Sequence, residues 1–442
     1  MRPSSTHRTR RLLAIGVSAG MAVALSASAA PAASSTEAMF EHGVVTQLSD
    51  GDTPYVNVAG DGTSNGLPVR LIAVQATETM HHVNGHWEGK NWCHAQAAKR
   101  RLNTLEPVGS HVRLDSRYSS SRSGGRMLRT VLALQKDGKW LNVQRSMAAG
   151  GYVLWFPMYP EDAHNYDYHV LADKAALAGK NIFNTTQCGY GPQQPAHIRL
   201  WVHWDANGSD DKNNHMRNDE YVIVRNDGGA GTLDLAGWHM RDSSLKMYTF
   251  PRGARLGVGQ ELRLHTGVGT NSARNYYWNL GHSVFDQVAT PDFGIGAGMG
   301  DGAYLLDPQG DFRSWTTYPC VIDCADPFGG NVTLSANGDP PAGQEYVDIT
   351  NWGSTAADFS HLQLRSWPWN YVFRTGFTLA AGATVRVHIV ISNNHPRNDA
   401  RNIYWDPSGT AILQKKSDEV DLSTLSDVRI ACEQWGSATC NW

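Results

Sequence analysis

The chain has 442 residues and a net charge of −3, with 38 Lys and Arg against 41 Asp and Glu. That length exceeds one ordinary core and divides into about two to four domains at usual domain sizes. The near balance of charge excludes attraction to nucleic acid by the protein as a whole, so any such affinity must be local.

The chain begins with Arg2, Arg8, Arg10 and Arg11, an apolar run from Leu12 to Leu25, and small residues through Ala27-Ser28-Ala29 and Pro31-Ala32-Ala33. This is the order of a signal peptide, expected over residues 1–33. The apolar run is short of the roughly 20 residues a membrane span requires, so no span is expected and the mature chain should be secreted and extracellular. Thr9-Arg10-Arg11-Leu12-Leu13 loosely matches a twin-arginine signal, which leaves the export route open. Loss of four arginines and no acid takes the net charge from −3 to −7.

Residues 40–190 mix two periodicities. Val44–Leu48, Tyr55–Val58, Leu67–Val74, His111–Leu114, Leu128–Leu134 and Tyr152–Trp155 read as strands. Cys93–Leu105 places Ala95, Ala98, Leu102 and Leu105 on one helical face, and Glu161–Lys180 does so with Val170, Leu171, Ala175 and Ala178. The combination predicts an α+β domain around a short-stranded barrel.

Two short stretches of this domain carry chemistry. Asp50-Gly51-Asp52-Thr53 lies between strand signals, and Arg70–Thr79 runs from a strand into a loop that contains Gln75, Ala76 and Glu78. By itself Asp-Gly-Asp-Thr is an ordinary hairpin turn. With the second stretch it offers hard oxygen ligands, a carboxylate and a guanidinium, the parts that phosphodiester hydrolysis needs. Between His111 and Leu134, Arg113, Arg117, Arg122, Arg126 and Arg129 have only Asp115 as a local countercharge. A run of this kind is usually a solvated face, but here it supplies the positive patch that the whole chain lacks.

His81, His82, His86 and His94 flank Cys93, a pattern shared by zinc clusters and solvated loops. His164 and His169 are five apart, so they do not stack as a ligand pair and suit surface or packing roles.

After Gly189-Tyr190-Gly191-Pro192 the sequence turns to short alternating strands with Gly, Asp and Asn turns, the pattern of β-sandwiches. Two modules are expected, over 196–320 and 330–442, because one set of residues recurs in order. Glu220-Tyr221-Val222, Asn226 and Gly228 return as Glu345-Tyr346-Val347, Asn351 and Gly353. Tyr248-x-Phe250, Leu256, Gly259 and Leu262–His265 return as Tyr371-x-Phe373, Leu379, Gly382 and Val385–His388. Ala273–Trp278 returns as Ala400–Trp405. Asp205–Asp211 has the oxygen density of a calcium loop without the distal glutamate of an EF-hand, and also reads as an Asn-Gly turn.

Six cysteines in an exported chain favour disulfides over metal ligation. Spacing suggests Cys93–Cys188, Cys320–Cys324 and Cys432–Cys440, among the fifteen pairings that six cysteines allow.

Over residues 40–188 the chain resembles the staphylococcal nuclease family. The resemblance rests on the Asp-Gly-Asp-Thr turn, the Arg70…Glu78-Thr79 segment, Gly125-Arg126, the Trp140–Gly151 segment, and the end through Ala163-His164, Asp173–Gly179 and Asn181-Ile182-Phe183. It implies an OB-fold barrel, and a nuclease that cleaves DNA or RNA with Ca2+. It further implies that Asp52 and the Ala76 carbonyl ligate calcium, that Asp50 lies close behind them, that Glu78 is the base, and that Arg70 and Arg126 clamp the phosphate. Gln75 stands where the family has a second metal carboxylate, and offers a neutral oxygen. Arg122, Ser123 and Gly124 stand where the family has an acid and an aromatic residue.

The repeats resemble lamin-tail domains, immunoglobulin-like sandwiches, through Glu-Tyr-Val-x-x-x-Asn, Leu235-x-Gly237-Trp238 and the Leu-x-Leu-His strand; in the second copy Gly-Trp becomes His361-Leu362. That resemblance implies attachment to a cell-surface or extracellular partner, and no catalytic residue. With every chemical residue before Cys188, the sandwiches are expected to be dispensable for cleavage. Two other functions fit the sequence. The barrel could hold nucleic acid without cutting it, or the sandwiches could dominate as glycan-binding adhesion modules, since eleven of the fifteen tryptophans lie beyond residue 200.

Overall fold

The computed structural model describes residues 37–440 apart from 80, 84–85, 89–91, 159, 186–187, 189–196, 205–217, 230, 245, 286–299, 338–343, 367–368, 390–395, 406–411 and 414–415. The leader, the Gly189–Pro192 junction and the Asp205–Asp211 loop fall outside the described residues.

The chain is mostly β, with three α-helices among the described residues. Its first part comprises β1 (Met39–Leu48), β2 (Pro54–Val58), β3 (Leu67–Leu71), β4 (Val74–Gln75), the hairpin β5 (His81–Val83) and β6 (His86–Glu88), and α1 (Ala95–Leu105). There follow β7 (His111–Ser116), β8 (Arg122–Ser123), β9 (Arg126–Leu134), β10 (Trp140–Asn142), α2 (Val143–Ala149), β11 (Leu154–Trp155) and α3 (Asn165–Leu177). Strands β1, β2, β3, β9 and β7 close into a five-stranded barrel, with β3–β9 its one parallel pair. Closure depends on the length of β1, which pairs with β7 through Met39–Val44 and with β2 through Gly43–Leu48. Alternating residues fill the interior, among them Val45, Val56, Val69, Leu71, Val112, Leu114 and Val131.

Helix α1 buries the four residues its periodicity selects, Ala95, Ala98, Leu102 and Leu105. Helix α3 is turned relative to expectation. It buries Tyr168, His169, Ala172, Ala175 and Ala176, while Ala178 is exposed. Two polar rings cause the turn: the Tyr168 hydroxyl meets the Asn142 amide at 2.7 Å, and His169 lies flat on Trp155 at 3.7 Å.

The second part comprises β12 (Ile198–His203), β13 (Tyr221–Asn226), β14 (Leu233–Asp234), β15 (His239–Arg241), β16 (Met247–Thr249), β17 (Arg255–Leu256), β18 (Glu261–His265), β19 (Asn275–Tyr277), β20 (Asp301–Leu306) and β21 (Phe312–Tyr318). Two four-stranded sheets, β12-β13-β18-β19 and β16-β15-β20-β21, enclose a core with Val222, Leu264, Met240 and Leu305. The third part repeats this order. Its sheets run Val332–Asn337, Tyr346–Asn351, Thr384–Ile389, Asn402–Trp405, and Trp369–Val372, Leu362–Ser366, Asp418–Thr424, Arg429–Trp435.

The repeated residues do the same structural work in each copy. Asn226 donates to the Gly231 and Leu256 carbonyls and accepts from the Gly228 N–H; Asn351 does so with Thr355, Leu379 and Gly353. His265 pairs with Asn275 at 3.1 Å and stacks on Tyr277, as His388 pairs with Asn402 at 3.0 Å and stacks on Tyr404. The repeat thus preserves turn closure and strand-end packing.

The three parts are packed onto one another. Leu154, Ala176, Ile182 and Phe183 of the first share a core with Tyr304, Leu306 and Phe312 of the second. Trp201 of the second stacks on His361 of the third at 4.0 Å, and His361 also meets Glu261 at 3.0 Å. The disulfides are Cys93–Cys188, Cys320–Cys324 and Cys432–Cys440, the pairs that spacing suggests. Such bonds persist in oxidising, extracellular surroundings. Among the described residues no helix is long and apolar enough to cross a membrane.

Candidate active site

The acid turn Asp50–Thr53 joins β1 to β2 and is closed by the Ser49 N–H on the Thr53 carbonyl, 3.0 Å. Within it the Asp50 carboxylate accepts the Asp52 N–H at 3.0 Å, the local bond that suits aspartate to turns. Only glycine fits between the two acids. A Cβ on Gly51 would lie 2.6 Å from the Ala98 Cβ of α1 and 2.8 Å from that of Ala76.

Asp52 is buried and gathers the neighbouring segments. Its Oδ2 accepts the Ala76 N–H at 2.8 Å and pairs with Arg70 Nη1 at 2.5 Å, while its Oδ1 accepts the Thr53 hydroxyl at 2.9 Å. Arg70 comes from β3, Gln75 from β4, and Ala76 and Glu78 from the loop that follows. Arg126, at the start of β9, donates Nη1 to Thr53 Oγ1 at 3.2 Å. The structure therefore brings together Asp50, Asp52, Arg70, Gln75, Ala76, Glu78 and Arg126.

Gln75 has a settled orientation here. A guanidinium carries only donors, so the Gln75 oxygen must face Arg70, whose Nη2 lies 2.5 Å away. The amide nitrogen then donates to the Ala76 carbonyl at 2.9 Å and to Glu78 Oε1 at 3.2 Å. Both neutral oxygens expected at a metal are thus engaged by protein donors in this arrangement.

The charge of the site is concentrated in its acids. Burial, then the nearby Asp52, push the Asp50 carboxyl up to about 7, and Glu78 adds to the effect. Burial and Asp52 also raise Glu78, against Arg70, Arg241 and Arg126. A crowd of carboxylates that suppresses its own ionisation suits a hard divalent cation, which takes oxygen ligands and relieves the repulsion. Among the described residues, Asp50 Oδ2 and Glu78 Oε2 accept no hydrogen bond, and Asp52 Oδ1 accepts only that of Thr53. These donors fit calcium.

The arginine run is more fully paired than the local sequence indicates. Glu41 of β1 meets Arg129 at 2.8 Å, and Asp115 accepts from Nε and Nη2 of Arg113 at 2.7–3.1 Å. The five arginines therefore do not share one free face. Arg126 remains directed at the acid turn.

Sequence reasoning missed residues that come from the second part. Trp92, whose backbone N–H donates to the Glu78 carbonyl at 3.1 Å, packs its ring edge-on against His239 of β15, centroids 5.3 Å apart. Asp311 accepts the Cys188 N–H at 3.0 Å and stands 3.5 Å from His94. Ligand atoms of Cys93, His94, Cys188 and Asp311 lie within 4.8 Å of one another, but the two sulfurs are joined as a disulfide. The side chains of His81, His82 and His86 fall outside the described residues. One signal of this contact was present in the sequence: Asp301–Leu306 lacks alternation, and all six residues of β20 are buried.

Residues 202–320 match the family model of the Lamin Tail Domain. No curated protein matches the chain.

Proposed function

We propose that the chain is an exported phosphodiesterase that hydrolyses DNA or RNA with calcium, its barrel an OB-fold of staphylococcal-nuclease type and its two sandwiches both lamin-tail domains. The observation that carries this reading is the convergence of three acids and two arginines, from separate segments of the barrel, around the Asp50–Thr53 turn. Asp50 and Asp52 would hold the cation, with the Ala76 carbonyl available to it when the Gln75 amide swings aside. Bound there, calcium supplies positive charge for the phosphate oxygens. Glu78 orients the attacking water and takes its proton. Arg126 offers donors to the phosphate from the open side, and Arg70, held between Asp52 and Gln75, fixes the acids in place.

The test is cleavage of plasmid and of a labelled oligonucleotide by the full chain, in calcium and in chelator. Glu78→Gln is expected to lower turnover about 10²-fold or more while oligonucleotide binding persists. Cleavage that ignores the divalent cation, or an E78Q variant as fast as the parent, refutes the mechanism. Retained binding with no cleavage by the parent favours the holding function instead.

A further inference from the structure

The tip of the β20–β21 hairpin presses on the start of α1. Asp307 Oδ1 accepts the N–H groups of Gln309, Gly310 and Asp311 at 2.9–3.0 Å, and its Oδ2 takes Arg313 Nε at 2.9 Å, which fixes the turn. A Cβ on Gly310 would lie 3.1 Å from the Trp92 ring and 3.4 Å from the Cys93 Cβ, so the turn and the Trp92-Cys93 segment are in close contact. Asp311, wholly buried, comes next. Its Oδ1 stands 3.3 Å from Cys93 Sγ and 3.5 Å from His94 Nε2, and its two oxygens accept the Cys188 N–H at 3.1 and 3.0 Å.

His94 is held there at a cost. Its backbone is left-handed, φ 67°, and its side chain is 1% exposed. Among the described residues neither ring nitrogen makes a hydrogen bond. A buried polar group without a partner is expensive, and an ion is one of the few things that accounts for it. One ligand atom from each of Cys93, His94, Cys188 and Asp311 lies within 4.8 Å of the other three. A tetrahedral zinc ion, with bonds of about 2.0–2.3 Å, spaces its ligands about 3.3–3.8 Å apart, so small shifts gather the four once the sulfurs are no longer bonded to each other. Two thiolates and an imidazole suit zinc, and the hard carboxylate oxygen favours it over copper(I).

We propose that Cys93, His94, Cys188 and Asp311 form a zinc site in the reduced chain, and that formation of the Cys93–Cys188 disulfide replaces it. Cys188 is exposed, whereas Cys93 is buried. A dithiol reductant therefore attacks the Cys188 sulfur and Cys93 leaves as the thiolate; the second thiol of the reductant then closes its own disulfide and releases Cys188, a transfer of two electrons. Zinc takes both sulfurs as thiolates and displaces the protons they carry, with His94 Nε2 and one Asp311 oxygen completing the four ligands. The other Asp311 oxygen keeps the Cys188 N–H, which orients the carboxylate. Unlike the disulfide, the zinc state takes a ligand from the first sandwich, so it ties that sandwich to the barrel part before the thiols are oxidised.

The experiment uses the full chain, oxidised or reduced with a phosphine, as parent, H94Q, D311N and C93S/C188S. Co2+ reports thiolate ligation through an intense near-ultraviolet band, and Zn2+ competes for the same site. The reduced parent is expected to take one Co2+ with that band and to lose it to one Zn2+, and the oxidised parent to show no band. H94Q and D311N should weaken zinc at least about tenfold, and reduced C93S/C188S should show no band although Cys320, Cys324, Cys432 and Cys440 remain. Zinc should raise the melting midpoint of the reduced parent by at least about 3 °C and leave that of the oxidised parent unchanged. A reduced parent without the band overturns the proposal, as does parental affinity in C93S/C188S, H94Q or D311N. Should C93S/C188S fail to fold, H94Q and D311N, which keep both thiols, decide. A reduced parent that folds only with zinc supports the proposal, and one that zinc leaves unfolded overturns it. None of these readouts depends on cleavage of nucleic acid, so the proposal stands or falls apart from the nuclease reading.

Discussion

Arg70 and Asp52 form an ion pair of 2.5 Å in which each side chain is 2% exposed. Breaking a buried pair from one side leaves an uncompensated charge and costs about 3–5 kcal/mol. Asp52→Asn keeps the shape of the turn and an oxygen for the Ala76 N–H, but leaves the Arg70 charge without its counterion. Its urea midpoint should fall accordingly, and D52N/R70M should lose less than the two single variants together. Additive losses would mean that the pair is not a coupled unit.

Gln75 separates two uses of one position. It now bridges Arg70 to the Ala76 carbonyl. Gln75→Asp removes the amide from that carbonyl and adds a charge, and calcium affinity follows the charge of the ligands. The calcium concentration for half-maximal turnover should fall at least about tenfold, or ~1.4 kcal/mol. An unchanged requirement in an activity titration would place residue 75 with Arg70 and out of reach of the metal.

Glu106 follows α1 and is fully buried, and neither carboxylate oxygen has a hydrogen-bond partner among the described residues. Burial pushes its carboxyl from 4.5 up to about 8. The folded protein therefore keeps a proton that the unfolded chain releases, and stability declines as pH rises from 4.5 to 8 before levelling off. At ~1.4 kcal/mol per pH unit the loss is on the order of 5 kcal/mol. Glu106→Gln should match the parent near the acid end of this window and melt at higher temperature by its alkaline end. Parallel melting curves across the window would show that Glu106 ionises freely in the folded state.

Much of the barrel was legible because its signals are local. Alternation marks β1, β2 and β3, the helical period marks α1, and the Asp-Gly-Asp-Thr turn is marked by its own composition. Asp50, Asp52, Arg70 and Glu78 stood out by residue type, the full set of seven came from the resemblance to the staphylococcal nuclease family, and the structure brings all seven together. The pairing within the site was not: the contact of Gln75 with Arg70 depends on the turn at Ile72-Ala73, after which β4 leaves β3 to pair with β11. Glu41 on Arg129 crosses the barrel, and Asp311 on Cys188 joins residues 123 positions apart. Such contacts are set by how sheet faces pack, and the period of a single strand says only that a face is apolar. For α3, two polar residues that bury themselves by stacking and hydrogen bonding outweighed the aliphatic stripe.

Gly51, wedged against Ala98, gives the acid turn a mechanical stop. The depth at which Asp50 and Asp52 sit is gauged by α1, which also grips the turn through Lys99 Nζ on the Ser49 carbonyl at 2.7 Å. Thickening either side of that contact by one methyl group would push the turn away from the helix and carry both carboxylates with it. Positions 51 and 98 therefore form a spacer pair, where steric bulk alone tunes the height of an anionic cluster whose chemical groups remain unaltered.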